Sequence, residues 1–217
     1  SENSQLRLSE RIHQWLLERI IYGDMKPGDA VAEKTIAQTL GVSRTPVHDA
    51  LRDLIKDGFL HQERNKRPVV TAFTAEDVFD IFEIRILLEG EAAFKAAARM
   101  DRLTLKQLRE RANVLSADTA APDWLESWAQ YDDDFHREIA KASGSKRLLQ
   151  DIVRHRLSHR ALNVHASGPE TFSDSLNEHD VILSALEQRD SDMAKAAMRA
   201  HIRESQALFV NQFSKGY

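Results

Sequence analysis

The 217-residue chain contains no cysteine. A disulfide framework and a thiolate metal site are therefore both excluded, any metal must be held by histidine and carboxylate, and the setting to expect is the cytosol. No apolar run approaches the roughly 20 residues that cross a bilayer, and the amino end lacks a signal-peptide pattern, so no membrane role is expected. A basic excess is lacking as well. The formal net charge is -4, and residues 1–73 carry 11 Lys/Arg against 10 Asp/Glu while the remainder carries 19 against 24. Net charge alone does not point to nucleic acid, and such a role must rest on where particular cations sit. Proline and glycine number 5 and 8, and several of them fall between stretches of helical periodicity and act as stops.

What is present is 42% hydrophobic residues, enough for a real core. Leu8, Ile12, Trp15, Leu16 and Ile20 recur at helical spacing, which predicts a first helix over about 6–22 with Trp15 in the core, ended by Gly23 and Pro27-Gly28. A second helix fits 33–40, stopped by Gly41. A third begins after Ser43, whose hydroxyl is placed to cap it, with Pro46 tolerated in the first turn and Asp57-Gly58 at the end. The period then changes. Two short extended runs, 59–62 and 68–72, flank the polar turn 63–67 and read as a small hairpin. After Phe73 the pattern is helical almost to the end, with helices expected at about 75–100, 104–118, 122–143, 145–165, 172–189 and 191–213. No internal repeat interrupts it. The fold class is mainly α: residues 1–73 as a winged helix-turn-helix and 74–217 as an all-α antiparallel bundle.

Three helices and a hairpin, with a tight Gly-containing turn between the second and third helices, place the third helix in the DNA major groove, amino end first. Ser43, Arg44, Thr45 and His48 then lie nearest to bases and phosphates. Arginine fits a guanine edge with two hydrogen bonds, and hydroxyls at a helix start suit phosphate. The stretch "MKPGDAVAEKTIAQTLGVSRTPVHDALRDLIKDGFL" resembles the DNA-binding domain of GntR-type bacterial transcriptional regulators over about residues 8–72. The resemblance implies DNA contacts from Lys34, Arg44, Thr45, position 48, Arg52 and the wing tip at Asn65 and Lys66. Position 48 usually holds arginine in that family and here is His48, shorter and mostly neutral at pH 7. Where the family's wing often has glycine this chain has Asn65, which tolerates a left-handed backbone.

In the second half, "YDDDFHREIA" sets Asp132 and His136 one helical turn apart, a pair that can bind one cation, with Asp133 and Asp134 as adjacent alternatives. His179 shares a face with Ile182, Leu183 and Leu186, and His201 lies on the stripe of Ala197, Met198 and Leu208. Both are expected to point inward. The arrangement, together with "FEIRILLEGEAAFKAAA", resembles the FCD ligand-binding domain of the FadR branch of GntR regulators, a helical bundle in which an Asp and three His bind a divalent metal. The resemblance implies Asp132, His136, His179 and His201 as ligands, and the imidazole and carboxylate set suits Zn, Ni or Mn.

Arg85 sits on one face with Ile81, Phe82, Leu88 and Ala92 and needs an anionic partner, either Glu89 one turn on or the carboxylate of a bound ligand. Arg156, Arg160 and Asn163 continue a neighbouring stripe as further candidates for holding an effector. Trp124 and Trp128 read as packing. The combined expectation is a homodimeric regulator that binds a palindromic double-stranded DNA operator and responds to a small carboxylate beside a metal. The alternative from another class is a metal-dependent hydrolase, since an Asp/His3 site leaves positions for water; it lacks a clear general base and gives the winged helix no role.

Overall fold

The computed structural model describes residues 2–21, 24–72, 74–166 and 169–214, with side chains from residue 8 onward except 21, 157–166, 169–173 and 212–214. The chain divides into two units, Ser1–Thr74 with Ser158–His165, and Ala75–Leu157 with Ala166–Tyr217.

The first unit is built on α1 (Glu2–Ile21), α2 (Glu33–Leu40), α3 (Arg44–Lys56), β1 (Leu60–His61) and β2 (Val69–Val70). Helix α1 starts earlier than its periodicity predicts, and Tyr22, the expected end, lies outside the described residues. Ile12, Leu16 and Leu17 of α1 are buried, as are Val47, Ala50, Leu51 and Leu54 of α3, and α1 packs on α3. Trp15 is only half-buried, with the Arg19 guanidinium 4.3 Å from its ring centre. The Lys-Pro-Gly-Asp stretch is a tight turn. The Asp29 amide donates to Lys26 O at 3.0 Å, with proline at the second position and Gly28 at φ 87° in the third, where a side chain would be strained. The turn feeds Ala30 into a bridge with Val69, beside the antiparallel pairing Leu60↔Val70 and His61↔Val69.

Gly41, at φ 63°, ends α2, and the Val42 amide donates back to Ala37 O at 3.0 Å. Ser43 then takes the extended N-cap conformation of α3, but its side chain makes no capping hydrogen bond, contrary to the sequence reading. At the wing, Lys66 N–H donates to Glu63 O at 3.0 Å and Asn65 sits at φ 61°, the left-handed conformation that asparagine tolerates.

The second unit is helical among its described residues: α4 (Ala75–Arg99), α5 (Arg102–Ala117), α6 (Trp124–Ala142), α7 (Lys146–Ala166, of which Ser158–His165 is grouped with the first unit), α8 (Pro169–Glu187) and α9 (Ser191–Ser214). Helix α4 packs on α9, α6 and α8, and α5 on α6 and α8. Small residues on α4, among them Ala92, Ala93, Ala96 and Ala97, are fully buried. Gly90 lies where a Cβ would come within 2.8 Å of Arg199 Cγ on α9. Helix ends are tied by charge: Asp101 accepts from the Thr104 amide at 2.9 Å to start α5, and Arg189 donates to Ala97 O in the last turn of α4 at 3.0 Å and to Met100 O just beyond it at 2.6 Å. Trp124 is packing, as read, with its indole N–H donated to Leu115 O at 2.8 Å. Trp128 is buried too.

Candidate functional site

Four donors from three helices of the second unit converge. Asp132 and His136 stand one turn apart on the α6 face that also buries Phe135 and Ile139, while α8 presents His179 and α9 presents His201; all four are buried. His201 Nε2 is 3.3 Å from Nε2 of both His136 and His179. Asp132 Oδ1 is 3.6 Å from His136 Nε2 and 3.5 Å from His179 Nε2. The contacts close a ring in the order Asp132, His136, His201, His179, and every donor atom lies within 4.8 Å of the others. Phe135 stacks on the His179 ring with centroids 3.9 Å apart, which fixes that imidazole's plane.

Proton placement shows what this ring is suited to hold. The Glu89 carboxylate faces His136 Nδ1, and Glu178 Oε2 lies 2.6 Å from His201 Nδ1. An ionised carboxylate only accepts, so each Nδ1 carries a proton, and in the neutral ring Nε2 is left with a bare lone pair. Two such lone pairs facing each other at 3.3 Å are not a hydrogen bond. They repel unless a cation lies among the donors, and the spacings are those of atoms about 2.0–2.2 Å from a shared ion. Carboxylates behind the imidazoles are the usual outer shell of such a site. The donor set therefore fits a divalent cation.

The electrostatics agree. Burial alone would push the Asp132 carboxyl up, but Arg156 and the His136 and His179 rings hold it well below the usual carboxylate range. Burial, reinforced by the neighbouring His201 ring, holds His179 well below the ordinary imidazole value. Burial also lowers His201, against the opposing pull of Glu178. Neutral imidazole is the form that ligates.

Two buried guanidiniums border the ring. Arg85, 1% exposed, donates from Nε to Glu89 Oε1 at 2.7 Å. Arg156 donates from Nη2 to Asp132 Oδ2 at 2.6 Å and to Asp133 Oδ1 at 3.2 Å. Among the described residues, each retains a buried Nη1 with no hydrogen-bond partner. Of the two partners that the sequence leaves open for Arg85, the structure forms the Glu89 pair and leaves one edge of the guanidinium unfilled. Arg160 and Asn163 lie outside the described side chains. Asp133 turns to Arg156, and Asp134 pairs with Arg111 and Arg137 instead of the ring. Leu208, expected to continue the buried stripe of His201, is 44% exposed; Phe209 continues it. The roles of Glu89 and Glu178 escape sequence reading because their imidazole partners lie 47 and 23 residues away.

In the winged-helix unit Lys34, Ser43, Arg44, Thr45, His48, Arg52, Asn65 and Lys66 are all exposed. Glu33, which periodicity does not single out, reaches two of them: Arg44 Nε donates to its Oε1 at 2.8 Å, and His48 Nδ1 lies 3.2 Å from its Oε2. Burial raises the Glu33 carboxyl, and its hydrogen bonds to Arg44 and His48 more than reverse this. Lys66 Nζ is 2.5 Å from Glu63 Oε2 across the wing turn.

Residues 8–70 match the family of bacterial regulatory proteins known as gntR, and residues 80–204 match the FCD domain. The chain is 28% identical over 197 residues to the uncharacterized HTH-type transcriptional regulator YdhC of Bacillus subtilis (strain 168), covering 88% of this chain and 86% of that protein. It is 28% identical over 179 residues to the Nta operon transcriptional regulator of Aminobacter aminovorans, covering 82% and 83%. Among solved structures, E. coli McbR/YncC has the same fold, with a TM-score of 0.79 and 22% identity over 95% of this chain and 98% of its own. Among the described residues no helix is long and apolar enough to cross a membrane. The relatives are named as transcriptional regulators, which supports the regulator reading over the hydrolase alternative. The chain belongs to the gntR family of bacterial regulatory proteins, as a transcriptional regulator with a DNA-binding winged helix-turn-helix followed by a ligand-binding FCD domain.

Proposed function

We propose that the protein binds a palindromic DNA operator as a homodimer through residues 1–73, and that a small organic acid entering the metal-containing bundle of residues 74–217 changes the affinity for that operator. The observation that carries the reading is the ring of Asp132, His136, His179 and His201, whose donor atoms face one another at the spacing of ligands to a shared cation. Zn, Ni and Mn all suit imidazole and carboxylate ligands. Such an ion supplies positive charge and a coordination position for a ligand oxygen. The unfilled Nη1 edges of Arg85 and Arg156 favour an anionic ligand with oxygens to accept from them, which is the chemistry of a carboxylate. Arg160 and Asn163 join this group on the strength of the sequence pattern alone.

Dimerisation is supported by α4, where Phe79, Ile84, Leu87 and Phe94 remain exposed, Leu87 at 61%. An apolar stripe of this kind on one helix suits a second copy of the chain, as a two-fold operator requires. For DNA, Arg44 opens α3, with Ser43, Thr45, His48 and Arg52 beside it, Lys34 on α2, and Asn65 and Lys66 at the wing tip. Arg44→Ala is expected to weaken operator binding by about 1–3 kcal/mol, whereas Lys66→Ala should weaken all sequences alike and flatten the salt dependence. Elemental analysis of protein purified without chelator, followed by a thermal-shift screen of carboxylic acids, tests the other half. A chain that carries no divalent metal, and gains no melting temperature when Zn, Ni or Mn is added, would overturn the metal reading.

A further inference from the structure

We infer that Glu33 is a positioning residue that sets which base His48 reads, by pinning the imidazole in one tautomer. The inference deepens the proposal above and rests on α3 being the helix that enters the major groove.

The geometry is local. Arg44 and His48 lie one turn apart on α3, and both are exposed on the face that would meet DNA. Glu33, in the first turn of α2, spans them with its two oxygens, Oε1 accepting from Arg44 Nε at 2.8 Å and Oε2 lying 3.2 Å from His48 Nδ1. The Glu33 side chain is 22% exposed against 69% for Arg44 and 62% for His48, so the carboxylate lies beneath them and their tips extend beyond it.

The consequence is chemical. A carboxylate only accepts, so the atom facing Glu33 is Nδ1–H. In the neutral imidazole that leaves Nε2 as an acceptor, turned away from Glu33. An arginine at this position is donor-only and suits guanine, whose major-groove edge offers two acceptors. An outward Nε2 acceptor suits the opposite partner, an amino group, which in the major groove belongs to cytosine N4 or adenine N6. It is repelled by guanine O6 and N7 and by thymine O4. His48 over Glu33 therefore gives, at one position of each half-site, a base preference opposite to the one an arginine there would have. Arg44 is held by the same carboxylate and keeps its guanidinium Nη atoms for the neighbouring contact.

Selection from randomised duplexes at pH 8, a pH that favours the neutral imidazole, tests this with the full-length protein. The wild type should enrich cytosine or adenine at one position of each half-site, by about 2- to 12-fold over guanine, the range of a single hydrogen bond. His48→Arg should switch that position to guanine. Glu33→Gln should move it toward guanine or thymine and leave the rest of the site unchanged, because with the amide oxygen still accepting from Arg44 Nε the amide NH2 faces His48 Nδ1, donates to it, and leaves Nε2–H turned outward. Melting temperatures check that each variant is folded, and Glu33→Asp, which keeps the charge, provides a conservative second variant that should retain part of the preference. Guanine at that position in the wild type, or identical preferences in wild type and Glu33→Gln, overturns the inference while leaving operator binding intact. Enrichment of no sequence at all by the wild type overturns the groove-reading proposal and this inference with it.

Discussion

At the scale of single residues, the proposed metal ring depends on side chains outside its four donors. Glu178 and Glu89 keep protons on Nδ1 of His201 and His136, and so keep Nε2 available. His201→Ala is expected to lose the metal altogether. Glu178→Ala should retain it with affinity lower by about 10- to 100-fold, the usual effect of removing an outer-shell carboxylate. Competition with a chromogenic chelator measures both, and equal affinity in Glu178→Ala and wild type would show that this carboxylate does not orient the ring. Asp132 and His136 are legible in the sequence because four-residue spacing on a helix is itself a geometric statement. Glu89 is legible only as a partner for Arg85, since nothing in a one-dimensional pattern says that its second oxygen meets an imidazole 47 residues on.

At the scale of elements, close packing of α4 against α9 rests on a residue without a side chain. A Cβ at Gly90 would lie 2.8 Å from both Cγ and Nε of Arg199, so a larger group must push that arginine aside. Gly90→Leu is expected to destabilise the protein by about 1–3 kcal/mol, as overpacking does. Adding Arg199→Ala should recover part of the loss, and a double-mutant cycle by urea denaturation reads the coupling. Independent, additive effects would place the strain elsewhere. Helix positions follow closely from periodicity and from Gly, Pro and Asp stops: α2 begins at Glu33 and ends at Leu40 in both sequence and structure. The role of Gly90 does not, because a glycine inside a helical pattern reads as a small cost until the neighbour across the interface is known.

At the scale of the whole molecule, the proposed response is a linkage between two binding equilibria. An acid that prefers one dimer geometry changes operator affinity by a coupling of typically 1–3 kcal/mol, about 5- to 150-fold, and the operator must change affinity for the acid by the same factor. Arg85→Lys keeps a charge beside Glu89 but loses the fork, so it should bind operator normally without effector and respond weakly to the acid. Calorimetry in both orders checks the reciprocity. A full response in Arg85→Lys would make Arg85 a partner of Glu89 only. Placing a charge in the exposed α4 stripe, Leu87→Lys, should split the proposed dimer and weaken operator binding, as seen by sedimentation and by gel shift; a variant that sediments as the wild type does would remove this helix from the interface.

The sequence by itself determined the helix pattern, the wing and its Asn65 turn, and the face on which each inward histidine lies, because these depend on spacing along one element and on the backbone preferences of Gly, Pro and Asn. Only the tertiary structure decided that three faces, on α6, α8 and α9, meet at donor spacings of 3.3–3.6 Å. It also decided that Asp134 turns away to arginines, and that Glu33 lies under Arg44 and His48. Those facts follow from how helices cross and from which charges find partners, and pairings between elements leave no period in the chain for a reader to detect.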